Sequence, residues 1–221
     1  MRNTLIPILV AVCLFLTGVS ILNFQLWYSA KAESLAGARY AANNINHILE
    51  EASQATRTAM KIAGKRCDLD EQYQLGTEAA LKPHLRTIII LKQGAVWCTS
   101  LPGNRVLLSR IPVISDNNLL LAPAIDTVNR LPILLYQIQF ADTRILVTIS
   151  DQHIRGALNV PLKGVKYTLR VGNSIIGPSG DVTTLNGSHQ FSGRVNIISV
   201  LSITNRRYLI SPDLSIKVWV F

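Results

Sequence analysis

The chain of 221 residues predicts an α+β protein: a transmembrane helix, a long juxtamembrane helix, and an antiparallel-dominated mixed sheet with short helices. Three observations predict it. No charged residue lies between Arg2 and Lys31. Apolar residues then recur at alternating spacings of three and four up to Ala63. Beyond that, short β-branched runs are separated by turn residues. The composition agrees, with 48% hydrophobic and 16% charged residues, and it excludes a disordered chain.

Residues 1–30 read as a short N-terminus and an uncleaved signal anchor, whose orientation the single Arg2 against Lys31 and Arg39 leaves open. About 20 helical residues cross a hydrocarbon core, and the run from Leu5 to Tyr28 supplies them. Pro7 stands near the start, where a helix accepts it, and Trp27 and Tyr28 suit an interface anchor. A cleaved signal peptide is the rival, but Ala30-Lys31-Ala32 lies well beyond its short apolar core. Cys13 falls inside the span and reads as a small packing residue.

Residues 31–63 hold no proline and are rich in alanine. Leu35, Ala38, Ala42, Ile45, Leu49, Ala52, Thr56, Ala59 and Ala63 form a heptad seam. Such a seam suits a dimer helix carrying a signal toward the membrane. It suits equally a helix packed on its own sheet. Gly64 is placed to end the helix.

A short helix is expected from Thr77 to Lys82, stopped by Pro83. Strands are expected at Arg86 to Leu91, Ala95 to Cys98, Val106 to Leu108, Ile133 to Phe140, Arg144 to Ile149, Lys166 to Val171 and Ser174 to Ile176. Gln93-Gly94, Ala141-Asp142, Gly172-Asn173 and Gly177-Pro178-Ser179-Gly180 read as turns. Asp151 is placed to cap a helix through Leu158.

Cys67 lies between basic and acidic residues, and Cys98 follows Trp97 at a strand end. In an oxidising compartment the two favour a bond; otherwise they are unrelated thiols. Six features occur together: the anchor, the long helix, Lys65-Arg66-Cys67, a basic-aliphatic strand, Cys98-Thr99-Ser100, and Leu101-Pro102-Gly103. In these the chain resembles the CSS-motif sensor region of bacterial membrane-bound EAL-type cyclic-di-GMP phosphodiesterases. The resemblance covers residues 1 to about 188. Thr99 stands where the family's motif has its first serine and keeps a hydroxyl; Cys98 and Ser100 match, and Cys67 matches the lone upstream cysteine. The resemblance implies a periplasmic domain over residues 31–188, with Arg2 inside and Cys67 outside a bacterial inner membrane. It implies a Cys67–Cys98 disulfide as a redox control element, with the phosphodiesterase more active when the bond is reduced. The partners expected are the inner membrane and a periplasmic thiol oxidase system, with a second copy in a homodimer on the dimer reading of the seam.

The full-length family uses two divalent metals such as magnesium, held by carboxylates of the EAL domain. This sequence holds no EAL motif, for Glu78-Ala79-Ala80-Leu81 lacks the downstream partner. His47, His84, His153 and His189 show no metal-ligand spacing, and no nucleophile, phosphate-loop or dinucleotide motif is present. No catalytic residue and no cofactor are therefore read in the chain. Residues 189–221 read as a divergent basic tail without a second span. Back-translation of Pro212 to Phe221 can be read, one nucleotide earlier, as a lead-in to a membrane helix. That suggests a frameshifted tail and a truncated phosphodiesterase.

The net charge of +9 is dispersed, no segment exceeding +3, and aromatic residues make up only 6%. Nucleic acid is excluded as a partner on that basis. Two further readings stand beside the redox sensor. One is a ligand-binding receptor domain lined by residues near Tyr136, Arg144, Tyr167 and Arg170. The other is a non-catalytic partner that hetero-dimerises with full-length homologues.

Overall fold

The computed structural model describes residues 5–104, 106, 108, 110, 118–124, 127–128, 130–161, 165–172, 174–184, 196–203 and 206–210. Helix α1 (Leu5–Ala63) is continuous over 59 residues, roughly 88 Å, with no break where the apolar run gives way to the heptad segment. Its first half is exposed from Ile6 to Tyr28, and an 18-residue window there has a mean hydropathy of 2.3. It is long and apolar enough to cross a membrane. The polar side chains of that half satisfy themselves on the helix. Thr17 and Ser20 donate to the carbonyls of Leu14 and Leu16, and Asn23 and Ser29 to those of Val19 and Leu26. The Lys31 ammonium lies 5.1 Å from the Trp27 ring centre.

The second half of α1 is built into the domain. Ala38, Ile45, Ala52 and Ala59 are fully buried, as the expected stripe requires. The row beside them is Ala41, Ile48, Ala55 and Ile62, whereas Leu35, Ala42, Leu49 and Ala63 are only half-buried. Thr56 is buried at the edge of the stripe. The centre of the buried face is thus turned by roughly 50° from the expected seam, at 100° per residue. Both rows are apolar in the sequence, so spacing alone cannot choose between them.

The face is occupied by the chain's own sheet. Strands β1 (Leu85–Lys92), β2 (Ala95–Thr99), β3 (Leu119–Ala122), β4 (Ile133–Phe140) and β5 (Thr143–Ser150) form an antiparallel sheet in the order β2-β1-β5-β4-β3. Side chains alternate across it. Ile88, Ile90, Ile145, Val147, Ile149 and Leu134 join the alanine stripe of α1 in the main core. Ile89, Leu91, Leu146, Ile133 and Leu135 turn to the opposite face and make a second core with Leu108 and Ala122. Within this sheet Thr87 and Thr148 face one another across β1 and β5, their hydroxyls 2.6 Å apart. Both faces are covered, which explains the unbroken apolar runs of β1 and β5.

A second antiparallel sheet has the order β10-β9-β6-β7-β8, with β6 (Val165–Val171), β7 (Ser174–Ile176), β8 (Val182–Thr184), β9 (Asn196–Ile203) and β10 (Arg206–Ile210). Tyr167, Leu169, Val171 and Ile176 bring it into the main core. The buried Tyr167 hydroxyl donates to the Ser34 carbonyl at 3.1 Å and ties β6 to α1. Burial raises the Tyr167 pKa, while that hydrogen bond acts in the opposite sense.

Several boundaries differ from expectation. The short helix is α2 (Leu69–Leu81), which starts eight residues before Thr77 because Asp68 caps it, its carboxylate accepting from the amides of Asp70 and Glu71. In α3 (Asp151–Leu158) the cap position is Ser150 and not Asp151, whose carboxylate instead pairs with Arg155 at 3.0 Å. The strand expected at Val106 to Leu108 is reduced to an isolated bridge from Leu108 to Thr127, and residue 107 lies outside the described residues. β3 and β8 to β10 were not expected. The turn at Gln93-Gly94 has positive φ at both residues, 51° and 79°, the hairpin geometry that glycine eases.

Candidate functional site

Gly64 ends α1, and the chain turns back with the Lys65 amide bonded to the Ile62 carbonyl at 2.9 Å. This turn brings Cys67 to the sheet edge. Cys98 lies near the end of β2, the outer strand of its sheet, and is fully buried. The two sulfurs are bonded, with Cα atoms 5.6 Å apart. The bond joins the C-terminal end of α1 to the edge strand and closes a loop that contains all of α2. Cys67 is half-buried, and the Gln72 amide approaches its sulfur at 3.7 Å.

The two residues after Cys98 shape the turn that follows. Thr99 is buried; its hydroxyl donates to the Leu101 carbonyl at 2.9 Å and accepts from the Leu101 amide at 3.0 Å. The Ser100 amide bonds to the Ile88 carbonyl at 2.9 Å, and the Ser100 hydroxyl accepts from the Ile88 amide at 3.0 Å. The serine side chain thereby extends the β1–β2 ladder past the end of β2. A threonine in the first position retains the donor and acceptor that the turn uses, so the departure from serine keeps this function. At Gly103 φ is 70°, a backbone state that favours glycine, which explains the Pro-Gly that follows. Helix α2 lies over this turn, and a Cβ at Gly76 would stand 3.4 Å from the Ser100 carbonyl oxygen.

The surroundings carry charges of both signs. Lys65 pairs with Glu71 at 3.7 Å, and the Lys92 ammonium stands 3.6 Å from the centre of the Trp97 ring. Arg144, beyond β1, is buried, and burial lowers its pKa. Among the residues expected to line a ligand pocket, Tyr167 is wholly inside the core and Tyr136 is half-buried against it.

Of the seam residues, Ala38, Ile45 and Ala52 are packed inside the protomer, and Leu35, Ala42 and Leu49 flank that face. The packing alternative accounts for this placement. A second cluster was missed by spacing. His47 and Glu51, one turn apart on α1, meet His84 from the loop before β1, their ligand atoms all within 4.8 Å of one another. The i, i+4 pair of histidine and glutamate was the available signal, but His84 joins it only through the fold. One carboxylate among imidazoles does not fit the carboxylate-rich pair of magnesium sites that the phosphodiesterase chemistry needs.

The sequence matches the family described as the CSS motif domain associated with EAL over residues 30–211. The chain belongs to this CSS-motif family. A relative from Escherichia coli strain K12, described as probable cyclic di-GMP phosphodiesterase PdeG, is 84% identical over 196 residues. That alignment covers 89% of this chain and 39% of the relative, so the chain spans well under half of the relative's length. The CSS-motif match continues to residue 211, past residue 188, where the resemblance in the motifs ends. Strands β9 and β10 fall within it.

Proposed function

We propose that this chain is the periplasmic redox-sensing part of a membrane-bound cyclic di-GMP phosphodiesterase, with the Cys67–Cys98 disulfide as its control element. The observation that carries the reading is where that bond sits: it clamps the end of the helix that runs on from the apolar segment to the edge of the sensor sheet. Membership of a family associated with EAL domains supports the phosphodiesterase as the output.

On this reading the first half of α1 lies in the inner membrane with Arg2 on the cytoplasmic side. A periplasmic thiol oxidase forms the bond. Reduction frees the end of α1 and raises hydrolysis of cyclic di-GMP. A homodimer would then use surfaces other than the stripe buried against the sheet.

Alkylation of whole cells tests the first step. Cys67 and Cys98 are expected to resist a membrane-impermeant maleimide until reductant is added. Free labelling of both without reductant refutes the redox reading. The output step is tested by C67A/C98A in the full-length protein, which is expected to hydrolyse cyclic di-GMP faster than the oxidised parent. Equal rates would separate the bond from control.

A further inference from the structure

Three imidazoles and a carboxylate converge on one side of α1, away from the cysteine pair. His84 Nδ1 lies 2.9 Å from Glu51 Oε2, and His47 Nδ1 lies 3.5 Å from Glu51 Oε1. The ring centres of His47 and His84 are 5.8 Å apart, and the ring of His153, from α3, stands 5.0 Å from that of His84. These groups come from α1, the loop ahead of β1, and α3, so only the folded domain assembles them. The three imidazoles line an open groove with Asn44, Gln152 and Gly156, which gives solvent access. His47 is exposed, while Glu51 and His84 are half-buried.

We propose that His47, Glu51 and His84 form a binding site for one divalent transition-metal ion of the zinc class, flanked by His153. Around a tetrahedral ion with bonds of about 2.0–2.1 Å, ligand atoms stand roughly 3.3 Å apart. Contacts of 2.9 and 3.5 Å within a cluster whose ligand atoms all lie inside 4.8 Å bracket that spacing. The donor set selects the class. Imidazole nitrogen suits zinc, nickel and copper, whereas magnesium and calcium require oxygen ligands in larger number. Three protein ligands leave a position open to water or to a fourth donor. Since two ligands lie on α1 and the third leads into β1, the ion would cross-link the long helix to the sheet at a point distinct from the disulfide. The site does not depend on the redox reading.

The test uses the full chain in detergent or nanodiscs, stripped with chelator and oxidised. Zinc titration by calorimetry is expected to give one ion per chain with micromolar or tighter Kd. Cobalt substitution should give visible d–d bands of a four-coordinate site. H47A changes an exposed side chain and leaves the core untouched, so it should fold; it and H84A should each weaken binding at least tenfold. C67A/C98A should leave zinc affinity within a factor of three. No saturable binding below 100 µM zinc overturns the proposal, and so does unchanged affinity in both histidine variants. Loss of binding in C67A/C98A with retention in H47A overturns it too, by assigning the ion to the cysteines.

Discussion

Removal of the Cys67–Cys98 bond offers a quantitative test of how the sensor is held together. The bond links residues 31 apart in sequence. On the chain-entropy model a loop of that length stabilises the fold by about 3.7 kcal/mol. For a folded region of this size, about 2–4 °C of Tm accompanies each kcal/mol, so a fall of roughly 8–15 °C is expected. The double variant C67A/C98A is the right perturbation, because a single substitution would leave a lone thiol beside a fully buried position. The assay is thermal unfolding of the full chain in detergent followed by near-UV circular dichroism, with and without reductant. The parent should lose the same stability in reductant as the variant has lost already, and reductant should not move the variant. α2 retains buried Leu75 and Ala79, so the sheet should still form. A fall below about 2 °C would refute the assignment of the bond as the main tie between α1 and the edge strand.

Three further substitutions read other parts of the fold. Ser100→Ala removes the acceptor for the Ile88 amide and should cost about 1–2 kcal/mol in urea unfolding, while Ser100→Thr should recover most of it. Ala52→Leu places a bulky side chain at a position with no exposed surface and should cost about 1–3 kcal/mol, whereas Glu50→Leu on the outer face should change stability little. Tyr167→Phe removes the tie to Ser34 and should cost about 1 kcal/mol at neutral pH. Its pH dependence has a definite sign. Burial raises the Tyr167 pKa above its ordinary value of 10.0, so the unfolded chain loses this proton first as pH rises. The contribution is therefore unchanged below about pH 10 and declines above it, and the phenylalanine variant should show a shallower alkaline loss of stability.

Much of the fold was legible because its signals are local. β4 and β7 have the expected bounds, β2 and β6 differ from expectation by one residue at one end, and β1 and β5 by one residue at each end. Alternation, glycine turns and β-branched runs act over a few residues and need no partner to be read. α2 was half-legible: Asp68 ahead of Leu69-Asp70-Glu71 is a helix start, but among charges it passed as a change of sign. β3 failed for a different reason. Leu119-Leu120-Leu121-Ala122 has no alternation and no β-branched residue, and only its pairing with β4 makes it a strand. The heptad shows the limit of periodicity. Alanine is so frequent along α1 that two neighbouring stripes satisfy the same spacing, and the sheet decides between them. The cysteine pair was legible from its motif, whereas the histidine cluster joins residues 47 and 84 through the fold and left only its i, i+4 half in the sequence.

The continuity of α1 sets what the disulfide, or an ion bound at the histidine cluster, could do to the apolar segment. A helix of 59 residues without a proline beyond Pro7 has no hinge at the point where its exposed apolar half meets the domain. A displacement imposed at Gly64 is therefore transmitted along the rod instead of being absorbed near Lys31. On the proposed readings the disulfide would act at the far end of the helix, and an ion at the histidine cluster midway along the buried half. Between them lie Ala52, Ala55 and Ala59, fully buried and small, which let the helix backbone lie close to the sheet. Alanine at these positions allows sliding with little rotamer cost, whereas leucines would interlock the helix with the strands. A rod packed by alanines and held by two removable ties is suited to small axial or rotational shifts. Replacing Ala55 and Ala59 by larger residues with the disulfide reduced separates the two contributions: if output still follows the redox state with the rod jammed, the signal does not travel through α1.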